Sequence, residues 1–161
     1  MKISTKTGDK MMTSAINRRV LKDDLVIECL GTLDELQASL MLASHYVDEV
    51  VKEELEKLVK QLFSLGEDLL KYQNENKITL DNLRDLENKI QEYEKKLSEQ
   101  KDFILPGSNI ASAHLHLART VARRLERRIV SFGQTESLNE VIYAYINRLS
   151  DLLYIYARIM E

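Results

Sequence analysis

Five stretches of this 161-residue chain place apolar side chains every three or four positions, and only five glycines and one proline are available to interrupt them. That spacing lays a continuous stripe along one side of a 3.6-residue helix and leaves a strand with no consistent inner face. The first stripe runs through Leu25, Cys29, Leu33, Leu36, Leu40 and Ala43, behind a capping Asp23 or Asp24, and predicts a helix to about residue 46. The second, Val51, Leu55, Leu58, Leu62, Leu65 and Leu69, is close to a heptad seam over 48–72. Leu83, Leu86, Ile90, Tyr93 and Leu97 predict a third helix over 80–99.

Pro106 and Gly107 break the pattern. A fourth helix is expected from Ser108 or Asn109 to Phe132, with Gly133 as a left-handed stop. A fifth opens on a capping box, Ser137-Leu-Asn-Glu140, and carries Leu138, Ile142, Tyr145, Leu149, Leu152, Tyr156 and Ile159 on one seam. No segment alternates with period two. The expected fold class is all-α, an up-and-down bundle of five helices packed at shallow angles.

The length suits a single domain over residues 1–161, comprising an N-terminal segment 1–21 and a helical bundle 22–161, large enough to bury a core without staples. Cys29 is the only cysteine, which excludes an internal disulfide and fits a reducing compartment. No stretch reaches the roughly 18 apolar residues of a membrane span, so the expectation is a cytoplasmic protein without membrane contact. A net charge of −3 argues against a dedicated nucleic-acid binder.

Against that acidic total, Arg119, Arg123, Arg124, Arg127 and Arg128 crowd ten residues with only Glu126 among them. On a helix, Arg119, Arg123, Glu126 and Arg127 fall within roughly 100° of one another. Such a face grips phosphate, because planar guanidiniums bind phosphoryl oxygens two at a time. The bland alternative is a solvated face whose arginines lie over a core stripe. That stripe is expected at Leu117, Val121 and Leu125, nearly opposite Arg119. A second polar strip on helix five, Asn147, Ser150, Asp151 and Tyr154, favours a site between helices or between subunits.

The N-terminal Thr5-Lys6-Thr7-Gly8-Asp9-Lys10, followed by Thr13 and Ser14, is rich in hydroxyls, amides and lysine. Gly8 lets backbone N–H groups turn toward an anion, although the run does not match the familiar phosphate loop and also suits a disordered tail. Gly31 lies inside the first helix at a cost of about 1 kcal/mol, which predicts close packing or ligand approach there. His45, His114 and His116 are too scattered for a metal cage, and no Glu-x-x-His motif suggests a di-iron bundle. No Ser-His-Asp or Cys-His arrangement supplies a protein nucleophile. The residues point to binding a polyphosphate.

Five blocks then occur in order: Thr5–Asp9, Gly31–Leu36, Phe103–Gly107, Leu115–Thr120 with Arg123–Arg128, and Asn147–Leu152. Together they resemble the PduO-type ATP:cob(I)alamin adenosyltransferases across about residues 3–158. The resemblance implies a ferritin-like helical bundle and a homotrimer with active sites between subunits. It implies transfer of the 5′-deoxyadenosyl group of ATP to Co(I) of cobalamin, with triphosphate released. Thr5, Lys6, Thr7, Gly8, Thr13, Ser14 and Lys22 would cradle the triphosphate, and residues 1–21 would fold over the nucleotide. Arg123, Arg124, Glu126 and Arg127 would sit beside ATP, with Asn147 near the adenosine. Arg123 would stabilise charge on the leaving triphosphate, together with Mg²⁺ held mainly by the phosphates. Asp34 would pair with Arg119 across the subunit interface beside the corrin, and Phe103 would lie against its lower face, with Tyr154 also on the cobalamin side. A reductase and an acceptor enzyme for the product are further implied partners.

The chain departs from that pattern at Met11, where the family usually has a second glycine. If that position needs a positive φ, methionine strains the loop. Tyr154 stands where phenylalanine is commoner. Two other readings remain open at this point: a non-catalytic ATP or corrinoid carrier, and a helical interaction protein whose arginine face binds an acidic partner.

Overall fold

The computed structural model describes residues 4, 6–16, 18–72, 75–97 and 105–161. Five helices follow a short hairpin: β1 (Met12–Ala15), β2 (Arg18–Leu21), α1 (Leu25–Ser44), α2 (Glu49–Leu69), α3 (Leu80–Glu94), α4 (Ile110–Gly133) and α5 (Val141–Ile159). The helical bundle stands as expected. Residues 98–99, given above to the end of the third helix, lie outside the described residues, and α3 itself stops at Glu94.

Each of the first four helices begins where a side chain can accept an otherwise unpaired backbone N–H. Asp24 accepts from Val26 N, Asp48 from Val51 N and Asn109 from Ser112 N. Thr79 and Asn82 cap each other reciprocally at the start of α3. The capping box expected at Ser137 does not form. Asn139 is instead drawn across the bundle, donating to Ile78 O at 2.7 Å while accepting from Val141 N at 3.2 Å, so α5 starts four residues later than expected.

Gly133 is also corrected: it is the last residue of α4, and the positive-φ glycine is Gly107, at +88°. What Gly133 provides is room, since a Cβ there would collide with the Tyr143 hydroxyl of α5. Gly31 has open space around it, so no intrachain packing explains that glycine.

Helix α4 packs along both α1 and α5, while α2 lies on α1 and α3 on α5. Its buried stripe is Leu115, Ala118, Val121, Ala122, Leu125, Ile129 and Phe132. Of the expected stripe, Val121 and Leu125 are buried as predicted, but Leu117 is 50% exposed and Ala118 takes the inner position beside it. The small side chains of Ala118 and Ala122 point at the neighbours, which turns Leu117 outward. The seams of α1, α2 and α5 are buried almost residue for residue as the spacing predicts.

Two buried carboxylates join the layers. Glu54 on α2 accepts from Lys89 and Tyr93 of α3 and from Tyr156 of α5. Burial opposes its charge, but the hydrogen bonds from Lys89 and Tyr156 outweigh it and hold this carboxyl below its ordinary value. Asp68 accepts from Lys77 N at 2.6 Å and Ile78 N at 2.9 Å, fixing the connection into α3.

The hairpin was not foreseen. Strands of four residues, with patterns MTSA and RRVL, are too short to show alternation. Thr13 pairs with Val20 and Ser14 with Arg19, and Ala15 and Val20 are buried in the core. An ion pair from Lys71 to Glu136 at 2.8 Å, with Arg18 at 3.9 Å, ties the hairpin to the bundle.

At Gly107 a substituent would meet Ala113 Cβ at 2.9 Å and Ala113 Cα at 3.0 Å, on a backbone that already disfavours side chains. Gly107→Ala is therefore expected to cost about 2 kcal/mol in a denaturant titration, from left-handed strain and the displaced first turn of α4. An unchanged midpoint would show that this turn yields freely.

Candidate functional site

The arginines of α4 separate into two groups. Arg119 and Arg123 open onto a cavity of about 280 Å³ between α4, α5 and the end of α3, with Arg148, Ser150, Asp151 and Tyr154 around it. Arg124, Arg127 and Arg128, with Ser131, line a different concavity of about 310 Å³. Arg127, expected beside Arg119 and Arg123, therefore belongs to the other wall.

Counter-charges follow the same division. Arg124 pairs with Glu35, and Arg128 Nη2 lies 3.3 Å from Glu28 Oε2, both acids being on α1. Arg119 and Arg123 make no such pair among the described residues. Arg119 is half-buried, its Nε is buried without a partner among the described residues, and its guanidinium lies 5.8 Å over the Tyr154 ring. A desolvated guanidinium with a vacant N–H favours an anionic or carbonyl-bearing ligand, because leaving that donor unmet costs about 1–3 kcal/mol.

Glu126 and Asn147 come together as expected: Asn147 Nδ2 donates to Glu126 Oε1 at 3.1 Å. Asn147 Oδ1 also accepts from Arg148, and Arg148 Nη1 reaches Asp151 Oδ2 at 3.3 Å. Arg148 was missed by the sequence reading. Its neighbours Asn147, Ser150 and Asp151 drew attention, but periodicity alone did not separate it from an ordinary solvated cation.

Asp34 is exposed on α1 and makes no ion pair within the chain among the described residues. The structure thus holds no intrachain Asp34–Arg119 contact. Thr5 and Phe103 lie outside the described residues.

The N-terminal segment is organised by a residue that the sequence did not single out. Arg19 Nη2 donates to Thr7 O at 2.9 Å and its Nη1 to Ser14 Oγ at 3.2 Å, stapling the Lys6–Gly8 loop to β1. Lys22 brings its ammonium to 3.3 Å from where a Cβ would stand on Gly8. Lys22 N also donates to Met11 O at 2.9 Å, extending the hairpin by one rung. Gly8, Thr13, Ser14 and Lys22 are therefore one unit. Gly8 itself has no positive φ; the left-handed residues are Lys6 at +58° and Met11 at +59°.

Among the described residues there is no group of three or more His, Cys, Asp or Glu suited to a metal, and no helix long and apolar enough to cross a membrane. Cys29 is fully buried, and burial pushes its thiol up to about 11. Such a thiol supplies no thiolate near neutrality.

Residues 3–160 match the cobalamin adenosyltransferase family. A corrinoid adenosyltransferase of Bacillus subtilis is 38% identical over all of this chain and 87% of its own length. One from Citrobacter freundii is 39% identical over 99% of this chain and 95% of its own length. Among solved structures, an arginine-to-lysine variant of a PduO-type ATP:corrinoid adenosyltransferase from Lactobacillus reuteri, complexed with ATP, superposes with a TM-score of 0.91 at 34% identity. It is matched over 98% of this chain and 93% of that one. A phenylalanine-to-alanine variant from the same organism, complexed with cobalamin and ATP, gives a TM-score of 0.92 at 33% identity, covering 99% and 93% of the two chains.

Two outcomes follow from the N-terminal geometry. Arg19→Ala should speed amide exchange through residues 7–21 while leaving α4 and α5 protected; unchanged exchange in the hairpin would remove the staple from the account. Met11→Gly should raise stability by about 0.5–1 kcal/mol, since relief of left-handed strain exceeds the added chain entropy. A lower denaturation midpoint would mean that the Met11 side chain is needed where it stands.

Proposed function

We propose that this chain, which belongs to the cobalamin adenosyltransferase family, transfers the 5′-deoxyadenosyl group of ATP to Co(I) of cobalamin and releases triphosphate. The observation that carries the reading is the half-buried Arg119 and the exposed Arg123 together at a cavity walled by Tyr154, on a protein whose one thiol is buried and protonated. The site offers cations and orientation and no nucleophile of its own, as suits a reaction in which a substrate metal attacks.

In that reaction Co(I) donates an electron pair to C5′ as the C5′–O bond breaks, and the bonding pair leaves on the triphosphate oxygen. Cobalt ends formally as Co(III). Negative charge grows at the leaving oxygen, and a guanidinium placed there stabilises the transition state more than the ground state. Arg123 takes this role, because among the described residues it makes no ion pair with an acid that would compete with phosphate. Glu126 and Asn147, already joined, serve the adenosine end.

The loop around Lys6, Thr7 and Gly8, with Thr5, Thr13, Ser14 and Lys22, cradles the phosphates. Arg124 and Arg127 border the nucleotide from the second concavity. Mg²⁺ would be held mainly by the triphosphate and would share its charge with Arg123. Tyr154 and Phe103 face the corrin, and Asp34 of one subunit meets Arg119 of the next in a homotrimer. The half-buried Arg119 with its unmet Nε, and the exposed Asp34, support that pairing. The reaction belongs in the cytoplasm, with a reductase delivering Co(I) and an acceptor enzyme taking the product.

A second reading, a carrier that binds ATP and corrinoid without turnover, draws on the strained Met11 backbone in the phosphate loop. Purified protein with ATP, Mg²⁺ and chemically reduced cobalamin should form adenosylcobalamin and inorganic triphosphate; tight corrinoid binding without product would favour the carrier. Arg123→Ala should lower kcat/KM at least about a hundredfold, roughly 3 kcal/mol, with helicity retained. Full activity in that variant would remove Arg123 from the role.

A further inference from the structure

We propose that Glu161 and His116 are positioning residues for the Arg119–Tyr154 wall of the cavity, acting from behind it. This rests on the reading of that cavity as the corrin side of the site.

The Glu161 side chain is only 16% exposed and receives three groups. Ser112 Oγ donates to Oε1 at 3.0 Å, His116 Nε2 lies 3.4 Å from the same oxygen, and Arg158 Nε lies 3.2 Å from Oε2. Two of these groups also touch Tyr154. The His116 ring lies 5.9 Å from the Tyr154 ring at 59°, and Arg158 Nη1 approaches the Tyr154 hydroxyl at 3.5 Å. Tyr154 in turn carries the Arg119 guanidinium over its face. A continuous path therefore runs from the Glu161 carboxylate, through an imidazole and a guanidinium, to one aromatic ring and then to Arg119.

The path depends on its origin for a specific reason. His116 is 6% exposed, and its Nδ1 is buried without a hydrogen-bond partner. Glu161 is thus the one hydrogen-bonding partner of that imidazole among the described residues, and it adds direction to a ring that packing alone encloses. The Arg158 side chain is 12% exposed, so a facing anion offsets the cost of burying its guanidinium. Removing the Glu161 carboxylate takes away that facing anion and the polar partner of the His116 imidazole together, both of them behind Tyr154. An arginine stacked on an aromatic ring keeps its direction only while that ring is held, because the attraction falls off beyond about 6 Å. None of these supports touches substrate. Their effect is on aim.

The test compares Glu161→Ala and Glu161→Gln with the unaltered protein. Glu161→Ala should raise the apparent KM for reduced cobalamin about five- to tenfold and leave the KM for ATP within about twofold. Glu161→Gln keeps an acceptor for Ser112 and His116 and should fall between the two. Val51→Ala, a core truncation on α2 away from the cavity, should lower Tm without this split. In the substrate-free protein, the Arg119 Nε–H resonance should shift in Glu161→Ala, which reads the path without any turnover. An unmoved Arg119 resonance, or equal changes in both KM values, would overturn the proposal. If Glu161→Ala does not fold, Glu161→Gln carries the same two readouts. Absence of adenosylcobalamin from the unaltered protein would instead count against the proposed function, and the Arg119 resonance would still decide the positioning claim.

Discussion

Ala118 and Ala122 leave so little volume along one side of α4 that α1 and α5 both close onto it, and the positions of the functional groups follow from that closure. A helix held between two neighbours has one free arc. On α4 that arc carries Arg119 at one edge, Arg128 at the other, and Arg123, Arg124 and Arg127 between them. Close packing of the inner side makes the outer side rigid, since a buried stripe of seven residues resists rotation about the helix axis. The arginines are thereby presented at fixed angles, which a flexible cationic tail could not achieve. Preorganised cations lose less entropy when an anion arrives and need no rearrangement as charge develops.

Counter-charge then selects among chemically identical side chains. Glu35 and Glu28 stand on α1 against Arg124 and Arg128. Exposed pairs of this kind contribute about 0–1 kcal/mol, so they add little to stability. Their effect is to occupy two guanidiniums and orient them. Arg119 and Arg123 lie on the edge facing α5, where Ser150 and Tyr154 offer no net charge, Asp151 is engaged by Arg148, and Glu94 lines the cavity without an ion pair to either arginine among the described residues. These two cations remain available to an incoming ligand. An acidic protein thus keeps a local positive site without repelling itself elsewhere.

The N-terminal hairpin shows the same economy at smaller scale. Ala15 and Val20 anchor it in the core, and Glu136 holds Arg18 and Lys71 beside it. Arg19 then gathers the carbonyl of Thr7 and the hydroxyl of Ser14, which ties the loop carrying Gly8 to β1. Met11 works against this order: its φ of +59° stores strain in a residue with a side chain, at the entry to β1. The loop is therefore built but under tension.

Much of the fold was written in local pattern. The seams of α1, α2 and α5, and the caps at Asp24, Asp48 and Asn109, depend on spacing and on side chains that reach two or three residues along the chain. Such interactions are readable in order because they are made in order. The ordered blocks around Gly31, Arg119, Arg123 and Asn147 likewise carried the family, and with it the chemistry, since reaction type resides in which residues recur at which intervals. Partnership across the bundle was not readable. Asn139 left its expected capping box for a carbonyl sixty-one residues away, and Gly133 made room for Tyr143 without adopting a left-handed φ. Leu117 faced outward because alanines took the inner arc, and Arg127 lined a different concavity from Arg123. Each of these outcomes depends on which atoms a neighbouring helix brings within a few ångströms. The sequence by itself determined the helices, their inner stripes and the class of reaction; only the tertiary structure decided which arginines are free, how the N-terminal loop is tied down, and what supports Tyr154 from behind, because those depend on distances between segments far apart along the chain.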